Sequence, residues 1–318
     1  MRVVPAWAAL LLAGAGGAIS ALQSAVNAEL AQRIDSAILA AVLNIATGAV
    51  IVVLAVPFMP SARAGLRRLP GSRLPWWAYL GGLGGAFFVT SAAYAVPTLG
   101  VAVFTIAQVA GGGVGGLLID RAGLAPIGRL PMTGPRLAGA ALGLGAVVLA
   151  QLGRPAGEVV LGLLGIAVAG GIAVAFQTAL NGRVSAVSTT AAGTAVNFAV
   201  NTPLMLLLAG AVVAFGRGWP DHWPPEWYLY VGGVFSVVIV TILVVSVHAV
   251  GVLRTGLATV AGQLTGAVLI DVAVPGGPGL SVALLAGALL TMVAVVVAGR
   301  GLPRRSPVDR GLPLPPQR

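Results

Sequence analysis

Gly100–Asp120 reads GVAVFTIAQVAGGGVGGLLID, apolar throughout, crowded with glycine and closed by a single acid. A relative of it returns at Gly251–Asp271, GVLRTGLATVAGQLTGAVLID. A shift of 151 positions brings Gly100 onto Gly251, Gly111 onto Gly262, Gly115 onto Gly266 and Asp120 onto Asp271. From Trp76 to Asp120 the same shift gives 17 identities in 45 positions. Chance alone would give roughly a tenth, so this self-similarity at a fixed offset marks an internal repeat. The chain is a duplicated unit, and its function is to be sought where the two copies meet.

Composition decides the solvent. The 318 residues are 58% hydrophobic and 8% charged, with a mean hydropathy of +1.00. A soluble domain carries about 25% charge. Several apolar runs reach the roughly 20 residues that cross a bilayer as a helix. The expected fold class is therefore an all-α integral membrane protein. There is no cysteine, which excludes disulfides and thiolate metal sites. The net charge of +10 comes from arginine alone, because the chain has no lysine. These arginines sit in short connectors between apolar runs, the pattern of inner-facing loops. Nucleic-acid binding is the weaker explanation of that charge.

Ten spans are expected. In the first copy they are Ala6–Val26, Ala37–Pro57, Trp76–Pro97, Gly100–Asp120 and Leu137–Leu152. In the second they are Val159–Ala179, Ala191–Phe215, Trp227–Val247, Gly251–Ile270 and Leu280–Ala298. The first run follows Arg2 and resembles a secretory signal. Yet it ends in Gln23-x-x-x-Asn27, as the internal run Leu161–Ala179 leads into Gln177-x-x-x-Asn181. That match favours a retained first span. The organisation expected is a first repeat over residues 1–153, a second over 154–299, and a disordered cytoplasmic tail over 300–318, rich in arginine and proline.

Of the 18 arginines, 15 fall in the termini and even-numbered connectors, leaving Arg33, Arg154 and Arg217 in the odd-numbered ones. By the positive-inside rule both termini are cytoplasmic. Five spans is an odd number, so the second copy enters the membrane from the opposite side. The expectation is two five-helix inverted repeats. Such repeats are common in secondary transporters, where the substrate site lies near the midplane between the halves.

The five-span unit resembles the YdcZ-like family, a domain of unknown function in the drug/metabolite transporter superfamily. The residues that carry the resemblance are Gln23-x-x-x-Asn27, Asn44 with Gly48, Trp76/Tyr79/Gly81/Gly82 and Gly100–Asp120. In the second copy they are Gln177/Asn181, Asn197, Trp227/Tyr230/Gly232/Gly233 and Gly251–Asp271. The resemblance covers nearly all of residues 10–299 and implies a ten-helix transporter of the EamA-like 5+5 type in a bacterial inner (plasma) membrane, with no settled substrate. Small multidrug-resistance relatives use a membrane-embedded glutamate in their first helix. Here the nearest acid is Glu29, at the outer edge of the first span, which separates the chain from proton-coupled cation export by that mechanism.

Polar side chains inside a bilayer either hold helices together or line a path. Gln23 and Asn27 are spaced i, i+4 and share a helix face, as do Gln177 and Asn181. Their amides donate and accept, which suits a neutral or zwitterionic solute. The competing reading is hydrogen bonding between helices. Asn44, Asn197 and Asn201 are weaker versions of the same case. Gln108 and Gln263 lie in the repeated glycine-rich helices at non-equivalent positions and carry less weight. Asp120 and Asp271 are expected at opposite membrane faces, as alternating gates would require; a helix-end charge at the headgroup level is the plainer reading. His248, at the inner boundary, titrates near neutral pH and is a coupling candidate.

The glycines have a packing role. Gly111/Gly115, Gly112/Gly116, Gly262/Gly266, Gly81/Gly85 and Gly139/Gly143 are each spaced i, i+4, the small-xxx-small pattern that lets backbones approach. A Walker loop needs a lysine, and a dinucleotide fingerprint needs a strand before its glycines. No catalytic constellation, metal set or cofactor site is visible, so an enzyme is not expected. The expected partners are a small-molecule solute and the lipid bilayer, with a homodimer left open and no nucleic acid. The reading is a secondary transporter, against a non-transporting membrane scaffold or assembly protein as the competing class.

Overall fold

The computed structural model describes residues 5–300, apart from 125–128, 130, 155–156, 216–218, 251 and 274–279; the side chains at 244–245, 247–250 and 252–254 are likewise outside the description. Among the described residues all regular structure is helical. The elements are α1 (Ala6–Arg33), α2 (Ala37–Ala55), α3 (Pro60–Arg68), α4 (Gly82–Leu99), α5 (Val101–Ala122), α6 (Gly134–Gln151), α7 (Glu158–Val187), α8 (Thr190–Phe215), α9 (Gly232–Val250), α10 (Val252–Ala273) and α11 (Val282–Arg300). Among the described residues eight of them are long and apolar enough to cross a bilayer, and the chain is a multi-pass membrane protein. The eight leave out α3, α6 and α9; α9 is apolar over Gly232–Leu243. The tail beyond Arg300 lies outside the described residues.

Several boundaries differ from expectation. Helix α1 runs to Arg33 and α7 to Val187, well past the amide pairs that were expected near their ends. At 1.5 Å per residue the 28 residues of α1 span about 42 Å, so Gln23 lies about 15 Å before its end. The connector after α2 contains α3, whose Arg63, Arg67 and Arg68 are exposed while Ala62 and Gly65 pack inward. Pro97 lies inside α4 rather than ending it, and α4 stops two residues later at Leu99, with Gly100 as its cap. With φ at +81°, Gly100 holds a conformation that suits glycine and breaks the chain sharply between α4 and α5. Gly123, left-handed at φ +71°, closes α5, and Leu124 N–H returns to the Ile119 carbonyl at 3.1 Å.

Helix α5 is the most buried of the candidate spans and forms the middle of the larger core. Its neighbours are set by glycine. Gly111 faces the Val168 carbonyl and Gly115 the Ile172 backbone of α7, so α5 and α7 run parallel. In the same way Gly262 faces Gly14 and Gly266 faces Ala18, so α10 and α1 run parallel. By contrast, Asp271 meets Val101 and Ala102 while Gln263 meets Gln108. Ascending α5 descends α10, and the two repeated helices are antiparallel. Helices α6 and α11 also run antiparallel, with Gly139 against Ala294 and Ala298, and Gly287 against Ala146 and Ala150.

A Cβ at Gly111, Gly171 or Gly262 would run into backbone carbonyls of the facing helix, which explains glycine there. The packing expectation fails for Gly116. Gly116 has nothing within 4 Å of where a Cβ would stand, and Gly112 meets only the Gly171 carbonyl at 3.9 Å. That face borders a cavity instead. The two i, i+4 glycine faces of α5 are rotated about 100° apart; Gly111, Gly112 and Gly115 approach α7, and Gly116 does not.

Candidate functional site

Six helices, α1, α2, α4, α7, α8 and α9, enclose a polar cavity of about 230 Å³. Gln23 and Asn44 line it from one copy; Gln177, Asn181, Asn197 and Asn201 line it from the other. Six of the seven expected path residues are thus brought to one place. Asn27 is the exception: it is buried but lies outside the lining, its Oδ1 within 2.7 Å of where a Gly232 Cβ would stand.

Each copy builds its half in a corresponding way. Gln23 Nε2 donates to the Gly232 carbonyl at 2.8 Å, to Ser236 Oγ at 2.6 Å and to Asn44 Oδ1 at 3.4 Å. Gln177 Nε2 and Asn181 Nδ2 both donate to Asn197 Oδ1, each at 2.9 Å. The glycine pairs that open α4 and α9 make room for these amides. A side chain at Gly232 would strike Asn44 and Asn27, and one at Gly81 would strike Asn181. Gly85 leaves 2.5 Å between a Cβ position and Gln177 Nε2. Its equivalent under the 151-residue shift is Ser236, which accepts from Gln23.

The network leaves capacity unused. Asn44 is 4% exposed, and its Nδ2 has no hydrogen-bond partner. The cavity also takes in Ser20, Thr194 and Ser236, with Phe88 and Phe198 as apolar walls; sequence reasoning missed all five. Ser236 could have been found from the 151-residue shift, because it stands where the first copy has Gly85 beside an amide. Phe198 carries no comparable signal. Among the described residues no charged side chain lines the cavity.

The acids stand elsewhere. Asp271, 4% exposed, accepts from the backbone N–H groups of Val101 and Ala102 at 2.8 and 2.9 Å. It thereby caps the N-terminus of α5, where Gly100 has no side chain to do so. Asp120 forms an ion pair with Arg136, which is 7% exposed and also donates to the Pro131 carbonyl at 3.2 Å. Neither acid borders the polar cavity. His248 belongs to α9, but its side chain is outside the described residues.

Gln108 and Gln263 gain a role that their non-equivalence had hidden. Gln263 Nε2 donates to Gln108 Oε1 at 3.0 Å, inside a second cavity of about 400 Å³ between α5, α6, α10 and α11. The antiparallel crossing of α5 and α10 joins positions that a simple shift does not relate.

The two ends of the bundle are tied differently. Beside the α1–α2 turn, Arg33 pairs with Glu226 and with Glu29, both at 2.5 Å. The guanidinium bonded to Glu226 holds that carboxyl below the usual range. At the end of α7, Arg183 donates to the Gly123 and Leu124 carbonyls at 2.7 and 2.6 Å and lies 5.1 Å over the Trp77 ring. Glu29 and Arg183 correspond under the 154-residue shift that matches Gln23 to Gln177, and Trp77 corresponds to Tyr228 under the 151-residue shift.

A family model described as "Putative inner membrane exporter, YdcZ" matches residues 8–149 and again residues 162–299. The chain belongs to the YdcZ family. The two matched segments coincide with the two copies, and between them they contain every residue that lines the polar cavity. That description names a membrane transporter family rather than an enzyme family. No curated protein matches the chain.

Proposed function

We propose that the chain is a secondary transporter that moves a small organic solute by alternating access between two inverted five-helix repeats, residues 1–153 and 154–299. The observation that carries this reading is the cavity lined jointly by Gln23 and Asn44 from one repeat and Gln177, Asn181 and Asn197 from the other. Membership of an exporter family supports it. So do the opposed directions of α5 and α10, because inverted repeats place equivalent helices head to tail.

Amides and hydroxyls that donate and accept suit a solute without net charge. Asp120 and Asp271 act as ties at the ends of the α5–α10 pair rather than as carriers. With both termini and the arginines of α3 on the inner side, the Arg33–Glu226 end is outer.

Solute flux into vesicles containing the purified chain tests the proposal, with a screen of small neutral and zwitterionic solutes. Flux is expected to fall at least tenfold in Gln23→Leu and in Gln177→Leu, while both variants stay folded. Flux undiminished in both would remove the cavity from the path.

A further inference from the structure

The polar cavity does not end at its amides. Thr194, Phe198, Ser236 and Val240 border it and also border a cleft of about 460 Å³ between α2, α3, α8 and α9. The cleft runs past Ile51, Val52 and Val237 to Met59 and Ala62 beside α3. Phe198 is part of the shared wall. Its ring sits against Gly48, where a Cβ would come within 2.6 Å of the ring carbon Cε1, so glycine at 48 makes room for it. Phe198 corresponds to Ile45 in the first copy, which borders the polar cavity but not the cleft. The cleft is therefore an extension on one side of the site.

The two spaces differ in chemistry. Amides dominate the polar lining of the cavity, whereas the cleft lining has no amide side chain: its serines and threonines stand among valine, alanine, isoleucine, methionine and phenylalanine, and most of its surface is apolar. Among the described residues neither is lined by a charged side chain. A solute with net charge would give up its hydration there with no counter-ion in reach. At about 230 Å³ the polar cavity alone is smaller than the roughly 300–1,000 Å³ of sites for drug-sized ligands. The cleft supplies the remaining volume, and that volume is apolar.

We infer that the cargo is an uncharged amphiphile whose hydrogen-bonding head sits among Gln23, Asn44, Gln177 and Asn197 while its apolar tail passes Phe198 into the cleft between α2, α8 and α9. The inference rests on the transporter reading of this site and names the class of its cargo. The head is held by the amides that line the cavity from both repeats. The tail gains by burial, about fourfold in affinity for each methylene removed from water.

The chain contains no cysteine of its own, so a single Val240→Cys places one thiol in the shared wall. Val240 is 38% exposed and open to reagent. The probes are N-alkyl acetamides of about four to ten carbons and, at matched lengths, alkyltrimethylammonium and alkylcarboxylate ions. Kd is measured on the purified full chain before and after alkylation with N-ethylmaleimide. Acetamide affinity is expected to rise about fourfold per methylene, with both ionic series at least tenfold weaker at equal length. Alkylation should abolish the dependence on length while sparing the shortest acetamide. Ile51→Cys, on the facing helix, repeats the test if the first variant fails to fold.

Ionic probes that bind as tightly as the acetamides would overturn the inference, and so would a length dependence that survives alkylation, since the tail would then lie in surrounding lipid. Failure of every series to bind overturns it as well. Flux separates this result from the transporter reading. Acetamide binding without flux upholds the amphiphile site and ends the transporter reading; flux of a charged solute without acetamide binding does the reverse.

Discussion

Asp120 and Asp271 occupy equivalent places in the repeat, yet their neighbours give them different work. Asp271 takes the two N–H groups that open α5, a charge-assisted cap at the positive end of a helix dipole. Asp120 faces the guanidinium of Arg136. Loss of a side-chain cap costs about 0.5–2 kcal/mol. Asp271→Ala should therefore lower the thermal midpoint of the purified chain, with Asp271→Asn intermediate. A change in flux with stability intact would instead reinstate Asp271 as a gate.

The amide pairs were legible because i, i+4 spacing is local and helical periodicity places both members on one face. Phe198 was not. It is one apolar residue among many on α8, and its position against Gly48 depends on how α8 meets α2.

At the scale of elements, the glycines decide which faces touch. Gly111 stands against a carbonyl of α7, whereas Gly116 borders open space on the same helix. Sequence spacing treats the two alike, since both belong to an i, i+4 pair. Their substitutions should diverge. Gly111→Val must push α5 off α7 and is expected to cost about 1–3 kcal/mol by overpacking. Gly116→Ala is expected to be neutral or to stabilise by up to about 1 kcal/mol, because alanine is the better helix former and nothing obstructs it. Thermal denaturation of the two variants in one detergent checks both; equal losses would show that the α5–α7 contact is misassigned. The ends of elements were less legible than their centres. Helices α1 and α7 run on through polar residues because their final turns still pack and pair, as Arg33 does with Glu29 and Glu226.

At the scale of the whole molecule, duplication and connector charge together imply opposed repeats. Cysteines introduced at Ser72 and Asp221 should label from opposite sides of the membrane. Labelling of both from one side would end the inverted arrangement and, with it, alternating access of this kind.

The tie at the Arg33 end carries a pH signature. Arg33 holds the Glu226 carboxyl below its usual range, so the tie is fully present above the ordinary glutamate value of about 4.3 and is lost as pH falls through the lower folded value. Spin labels at Gln32→Cys and His222→Cys should move apart under that acidification, and at neutral pH once Glu226→Gln is added. A distance unchanged in both cases would mean that this ion pair does not hold the outer end together. Its members are a third or more exposed, and surface pairs of that kind are screened by salt.

The sequence by itself determined the solvent, the duplication, the helical class and the residues with the chemistry for a path. Each of these is written in composition, in a fixed offset or in a local period. The tertiary structure decided which chemistry shares a space. It put Gln23 and Asn44 opposite Gln177 and Asn197, paired Gln108 with Gln263, and set Phe198 between a polar cavity and an apolar cleft. The physical reason is that helices meet through close contacts between non-local glycine and alanine faces. Which helices are neighbours and how they cross then fix every cross-helix pair, and neither can be read from spacing along the sequence. Gly100–Asp120, the stretch that exposed the repeat, supplies the buried helix of that arrangement and leaves the chemistry to its neighbours.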